Sequence, residues 1–134
     1  MSITVDWDNP EKTVIRFKYD GSWTLTDYFA ANEQSVGMMD NVDHKVHIII
    51  DVTESKILPN GVISQGRSAA NRGKHHNQGT VMIVGANGLI RGMFDIFKKL
   101  YGRNFDVNGY AFASTLDEAY KSLGVPTVTA QQPE

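Results

Sequence analysis

The sequence predicts an α/β fold: a mixed, mostly parallel sheet of about five strands with about four helices, in the order ββαβαβαβα. Two continuous apolar runs, residues 46–50 and 80–84, are typical of interior parallel strands covered on both faces. A stretch with helical spacing of apolar residues follows each run. Because helices between buried strands imply right-handed crossovers, we expect a parallel sheet that an opening hairpin extends at one edge.

The N-terminal segment predicts that hairpin. Alternate residues from Ile3 to Trp7 are apolar, and the same alternation returns from Thr13 to Tyr19. Between them, residues 8–11 read Asp-Asn-Pro-Glu, which is turn chemistry. Two alternating runs joined by a short turn are typical of antiparallel strands with one buried face.

A capping box begins the first helix, which is expected to span about 15 residues. Thr24 is the cap and Asp27 stands where glutamate or glutamine is more usual. The expected buried stripe comprises Leu25, Tyr28, Phe29, Asn32, Val36 and Met39.

The middle of the chain predicts a strand that ends at Asp51, an acidic loop, and a helix over residues 62–71. The second apolar run, 80–84, turns at Gly85 into a strongly amphipathic helix that extends to residue 101. Residues 107–113 predict the last strand. A final helix starts with a capping box at Thr115 and Glu118 and ends at Gly124.

Length and composition suit an ordinary globular domain. The chain has 134 residues, of which 41% are hydrophobic, and we expect one domain over 1–124 with a disordered tail over 125–134. A net charge of −2 gives no electrostatic signal for nucleic acid. Without cysteine there is no disulfide or thiolate metal site. No signal peptide or membrane-spanning run is evident, so the sequence predicts a cytoplasmic protein without membrane insertion.

The element order, with a strand, an acidic end and a loop-to-helix glycine at its centre, resembles the STAS domain. This is the fold of the SpoIIAA-type anti-sigma-factor antagonists, and the broader STAS/SEC14-like group of bacterial proteins is also similar. The resemblance covers about residues 1–123 and is mainly architectural. In it, Asp51 matches the strand-end aspartate, Gly61 matches the turn glycine, and Asn60 takes the place of the phosphorylated serine. Asparagine accepts no phosphoryl group, so the resemblance implies a non-enzymatic binding domain without the phosphorylatable serine.

The residues themselves offer few candidates for chemistry. Asp51 and Glu54 are paired carboxylates that could act in acid–base catalysis, although an aspartate at a strand end more often binds loop amides. Residues 85–92 have the wrong spacing for a dinucleotide-binding loop, but the helix start near Asn87, with Arg91, could hold an anion. His75 and His76 lack nearby ligands at metal-binding spacing.

Two functions remain open at this point. The first is a regulatory or protein-interaction domain whose binding surface includes Asp51, Glu54, Asn60 and Gly61. The alternative is a binder of a small apolar or anionic lipid or metabolite near Asn87 and Arg91. Nothing in the sequence assembles a nucleophile with its base, so no enzyme, cofactor or metal is predicted. A free edge on the opening hairpin makes a homodimer possible.

Overall fold

A computed structural model describes residues 3–55, 75–101 and 110–124 of the chain. They form an α/β fold with a five-stranded sheet, whose strands lie in sequence order, and three helices. The strands are β1 (Ile3–Trp7), β2 (Val14–Gly21), β3 (Val46–Ser55), β4 (Gln78–Val84) and β5 (Tyr110–Ala113), and the helices are α1 (Leu25–Asp40), α2 (Gly88–Tyr101) and α3 (Leu116–Leu123). The predicted helix over 62–71 and the predicted tail over 125–134 lie outside the described residues.

The pairing confirms a mixed, mostly parallel sheet. β1 runs antiparallel to β2, with Ile3 opposite Tyr19 and Trp7 opposite Ile15, while the other neighbouring strands are parallel. Asn9 closes the hairpin turn by accepting the backbone N–H of Thr13 at 3.0 Å. Side chains that alternate along the hairpin therefore separate into a buried apolar set and an exposed polar set.

The capping box of α1 is confirmed, but the helix buries a different stripe. Thr24 Oγ1 accepts the Asp27 N–H and the Asp27 carboxylate accepts the Thr24 N–H, both at 3.0 Å. Of the predicted stripe only Met39 is buried, whereas Ala31 and Ser35 are also buried. Small side chains let a helix approach the sheet closely. The buried Ser35 hydroxyl has a hydrogen-bond partner because it donates to the Asn32 carbonyl in the same helix.

The prediction that Asp51 ends a strand is wrong, because β3 continues to Ser55. β2 extends to Gly21, and its end pairs with the end of β3 through Asp20 opposite Glu54 and Gly21 opposite Ser55. Three residues of the segment expected to be an acidic loop, Asp51, Glu54 and Ser55, therefore have register partners in the neighbouring strand, and residues 56–60 lie outside the described residues.

Both faces of the central strands are packed, as the apolar runs predicted. On one face, Ile48 of β3 lies in a core cluster with residues of α1 and with Ile90 of α2. On the other face, Ile49 lies in a second cluster with Ala119 and Tyr120 of α3. The crossover helices α1 and α2 thus lie on one side of the sheet and the final helix lies on the other.

The ends of α3 follow the sequence signals. The Thr115 hydroxyl accepts the Glu118 N–H, and Gly124 ends the helix in the left-handed conformation with φ 72°. The Glu118 carboxylate accepts the N–H of Ser114, one residue before the cap. Within the described part of the chain, no helix combines the length and apolarity needed to cross a membrane.

Candidate functional site

Four of the six predicted site residues lie along the edge of the sheet where the parallel strands β2, β3 and β4 end. We call this edge the carboxyl edge. Asp51 and Glu54 lie in the last half of β3, and Asn87 and Arg91 lie just beyond β4, at the start of α2. Asn60 and Gly61, the other two candidates, lie outside the described residues.

Asp51 is a buried carboxylate whose oxygens have protein partners. Only 5% of the residue is exposed. Its Oδ1 accepts the Thr53 N–H at 3.0 Å and the Thr53 hydroxyl at 2.6 Å. Its Oδ2 lies 3.4 Å from Nη2 of Arg16, across the strand pair. These are the contacts of a carboxylate that organises the backbone around it.

The register between β2 and β3 changes just after Asp51. Lys18 is opposite Asp51, but the next described pair is Asp20 opposite Glu54, so β3 advances three residues while β2 advances two. β3 therefore carries a β-bulge, a feature that is uncommon between parallel strands. The Thr53 N–H that Asp51 accepts lies within this bulge.

The bulge brings two acidic side chains together. Asp20 and Glu54 are register partners on neighbouring strands and both are exposed. Within residues 3–55, 75–101 and 110–124, no side chain forms an ion pair with either carboxylate. Like charges directly opposite each other destabilise a sheet, so this pair has a cost that no side chain in the described part of the chain offsets with an ion pair.

Gly85 allows β4 to end beside the bulge. Its φ of +77° is a conformation that glycine adopts without strain. A Cβ at this position would lie 2.5 Å from Oγ1 and 3.1 Å from Cα of Thr53. The predicted turn after β4 therefore has a second role, because it makes room for the end of β3.

A polar network joins the hairpin turn to α3. Arg16, which contacts Asp51, also lies 3.8 Å from Oδ1 of Asp8, and the Tyr120 hydroxyl donates to the Asp8 carboxylate. Burial, and then the hydrogen bond to Asp8, raises the pKa of the Tyr120 hydroxyl above its ordinary value near 10. No local sequence pattern around Tyr120 connects it to Asp8, a residue 112 positions away.

Replacing Tyr120 with phenylalanine is expected to lower the free energy of unfolding by about 1–2 kcal/mol, because the Asp8 carboxylate loses its donor. Urea denaturation of Tyr120→Phe, Asp8→Asn and the double variant measures the coupling between the two groups. Additive effects of the two substitutions would contradict this assignment.

Asn87 and Arg91, the predicted anion-binding residues, have local partners. Asn87 Oδ1 accepts the Ile90 N–H at 3.0 Å and so caps the start of α2. The Arg91 guanidinium lies 4.4 Å from the ring centroid of Phe112, and its Nε donates to the Ala86 carbonyl at 3.4 Å. Both side chains thus stabilise the junction between β4, α2 and β5.

The histidines also take part in structural contacts. His75 Nε2 lies 2.7 Å from Oδ1 of Asp40, and its Nδ1 accepts the Asn77 N–H at 3.0 Å. His47 Nδ1 accepts the Thr80 N–H at 3.1 Å, between β3 and β4. Among the residues that the structure describes, no group of three or more His, Asp or Glu side chains is placed to hold a metal ion.

The burial of His47 predicts that the free energy of unfolding falls in mild acid. Burial lowers its pKa from the ordinary 6.5, so the native chain favours the neutral imidazole that the Thr80 bond requires. This contribution is complete above about pH 6.5, the unfolded pKa, and is lost as the pH falls through the lower folded pKa. Denaturation between about pH 7.5 and about pH 5 should show a shallower decline for His47→Gln than for the wild type. His44→Gln, at an exposed position, is the control, and an equal decline in His47→Gln and wild type would refute the prediction.

Comparison with known proteins gives no identification. The chain matches no protein-family model, and no curated protein sequence matches it significantly. The geometry of the carboxyl edge is therefore the basis on which a function is inferred.

Proposed function

We propose that the chain is a non-enzymatic protein-interaction domain of STAS-like type, which acts in the cytoplasm as part of a regulatory assembly. The observation that carries this proposal is the exposed acidic pair, Asp20 and Glu54, on neighbouring strands of the carboxyl edge. Two adjacent carboxylates without a described counter-ion favour a partner that supplies lysine or arginine side chains.

The contacts of Asp51 also support binding over catalysis. A general acid or base must be able to reach a substrate and exchange a proton with it. Asp51 is buried, accepts two hydrogen bonds from Thr53 and faces Arg16, so its carboxylate supports the strand end from within. Of the two β3 carboxylates, Glu54 is the exposed one, and a partner could therefore contact it.

The described order of elements supports the resemblance to STAS domains, because an opening hairpin precedes parallel strands, and helices connect β2 to β3 and β4 to β5. In that family pattern the position of the phosphorylated serine falls at Asn60, so our proposal is a domain whose binding is not controlled by phosphorylation there. The start of the helix expected after Gly61 is part of the proposed binding surface.

Reversing the charge at Glu54 tests the proposal. We expect Glu54→Lys to abolish capture of the partner from an extract of the source cell, because it replaces one member of the acidic pair with a cation. The fold should remain intact, since Glu54 is exposed. Quantitative affinity capture with tagged protein, at two salt concentrations, measures the effect.

Glu11→Lys is the matched control. It makes the same charge change at an exposed residue in the hairpin turn, at the opposite edge of the sheet. Partner capture that survives Glu54→Lys, or that Glu11→Lys removes equally, would contradict a role for the acidic pair.

The alternative, a small-ligand binder near Asn87 and Arg91, draws no support from the described contacts, since both side chains already have protein partners. A homodimer through the edge of β1 would form beside Gln34, whose Nε2 donates to the Val5 carbonyl of that strand at 3.1 Å. That contact covers part of the free edge.

A further inference from the structure

We propose that Asp51 is a positioning residue: its carboxylate holds the β-bulge that places Glu54 beside Asp20. The inference rests on the proposed function in one respect only, namely that the acidic pair completed by Glu54 is the surface that binds a partner. The placement itself follows from the register and from the hydrogen bonds of Asp51.

The register shows what the bulge changes. Without the extra residue, pairing that starts from Lys18 opposite Asp51 would put Thr53 opposite Asp20 and Glu54 opposite Gly21. With it, Glu54 takes the position opposite Asp20. The bulge in β3 therefore determines whether Glu54 or Thr53 lies opposite Asp20.

Asp51 supplies the bonds that a bulge otherwise lacks. Thr53 has no register partner on β2 or β4. The Thr53 N–H donates to Asp51 Oδ1 at 3.0 Å, and the Thr53 hydroxyl donates to the same oxygen at 2.6 Å. These two bonds to a buried carboxylate fix the backbone at the bulge, although Thr53 itself is exposed. Arg16 lies 3.4 Å from the second carboxylate oxygen and balances its charge in this buried place.

Gly85 gives the bulge its space. Thr53 Oγ1 would lie 2.5 Å from a Cβ at that position, so the bulged chain is held between the Asp51 carboxylate on its own strand and a glycine on the next connection. Two independent features, an acceptor and an absent side chain, thus favour the same arrangement of Thr53.

Chemical cross-linking tests this inference, because the chain has no native cysteine. Asp20→Cys with Glu54→Cys reports the bulged register, and Asp20→Cys with Thr53→Cys reports the unbulged one. Each pair is treated with dibromobimane, a short reagent that becomes fluorescent on joining two thiols. We expect the first pair to react faster in the otherwise unchanged protein.

Adding Asp51→Ala should lower the rate of the first pair by roughly fivefold or more relative to the second, since Thr53 loses its acceptor and the register relaxes. Asp51→Asn should restore the wild-type ratio, because an amide oxygen can accept the same two bonds. A general loss of stability would slow or speed both pairs alike and would leave their ratio unchanged. An unchanged ratio in Asp51→Ala would overturn the inference.

Hydrogen exchange provides a measurement that needs no substitution. The Thr53 amide should exchange slowly in the wild type, although Thr53 has no register partner on a neighbouring strand. Rapid exchange of this amide would overturn the inference. This result can be obtained even if Asp51→Ala does not fold. Both measurements report register and hydrogen bonding without a binding partner. Normal cross-linking together with partner capture that survives Glu54→Lys would refute the proposed function and leave the positioning role standing.

Discussion

Replacing Gly85 with alanine is expected to lower the free energy of unfolding by about 2–4 kcal/mol. Part of the loss comes from holding a side chain at φ +77°, and part from the clash between the new Cβ and Thr53, whose Oγ1 and Cα would lie 2.5 Å and 3.1 Å away. Because one of these contacts is to backbone, rotation of the Thr53 side chain cannot relieve the clash fully. Urea denaturation of the wild type and Gly85→Ala measures the loss.

Gly88→Ala is the control for this prediction. No heavy atom lies within 4 Å of a Cβ built at Gly88, which is the first residue of α2. We expect that substitution to be neutral or slightly stabilising. In a Thr53→Ala background, Gly85→Ala should cost less, because the closest clashing atom is gone. The same cost in both backgrounds would mean that Thr53 is not the obstacle.

Replacing Asn77 with alanine is expected to lower the free energy of unfolding by about 2–3 kcal/mol. Asn77 is buried just before β4, and its Nδ2 donates to the Met39 carbonyl at 3.1 Å and to the Val42 carbonyl at 3.0 Å. Both acceptors belong to the C-terminal end of α1 and the residues after it. Without Asn77, the Val42 carbonyl loses its side-chain donor, and the Met39 carbonyl keeps only backbone donors such as the Val42 N–H at 3.3 Å. The loss of these two bonds from a buried amide accounts for the expected destabilisation, which thermal or urea denaturation measures.

Asn41→Ala is the control, because it tests whether replacing any asparagine near the end of α1 lowers the free energy of unfolding by the same amount. Its side chain donates to the Gly37 carbonyl at 3.0 Å from an exposed position, where water can replace it. The expected loss is below about 1 kcal/mol. Equal losses in Asn41→Ala and Asn77→Ala would show that the buried bridge between α1 and β4 is unimportant.

Elements that depend on neighbouring residues were predictable from the sequence. The hairpin follows from alternation between Ile3 and Tyr19, and the starts of α1 and α3 follow from the caps Thr24 and Thr115. In each case the hydrogen bonds join residues a few positions apart. Local chemistry decides such features, and the sequence displays it directly.

Features that depend on distant residues were not predictable in this way. The extension of β3 to Ser55 depends on pairing with β2, and Trp23 Nε1 donates to Ser55 Oγ across 32 positions. Asp51 was singled out as a candidate from its own segment, but its contact with Arg16 appears only when two parallel strands are brought together. No periodicity in a single segment records either the bulge or the partner of a buried side chain.

The burial of α1 gives a second example of the same limit. Helical spacing favoured Tyr28, Phe29 and Val36 for the core, yet these are only half-buried, and the helix buries Ala31 and Ser35 together with the predicted Met39. The distance between a helix and the sheet beneath it decides whether large or small side chains fit, and that distance is set by the whole packed layer.

Native mass spectrometry of gently purified protein tests the central claim most directly. The wild type and Glu11→Lys should each carry the added mass of a protein partner in fixed stoichiometry, and Glu54→Lys should appear at the bare chain mass. This pattern would place the contact at the acidic pair of the carboxyl edge. A small added mass that all three proteins retain, with no protein partner in any of them, would contradict the account and favour a bound metabolite.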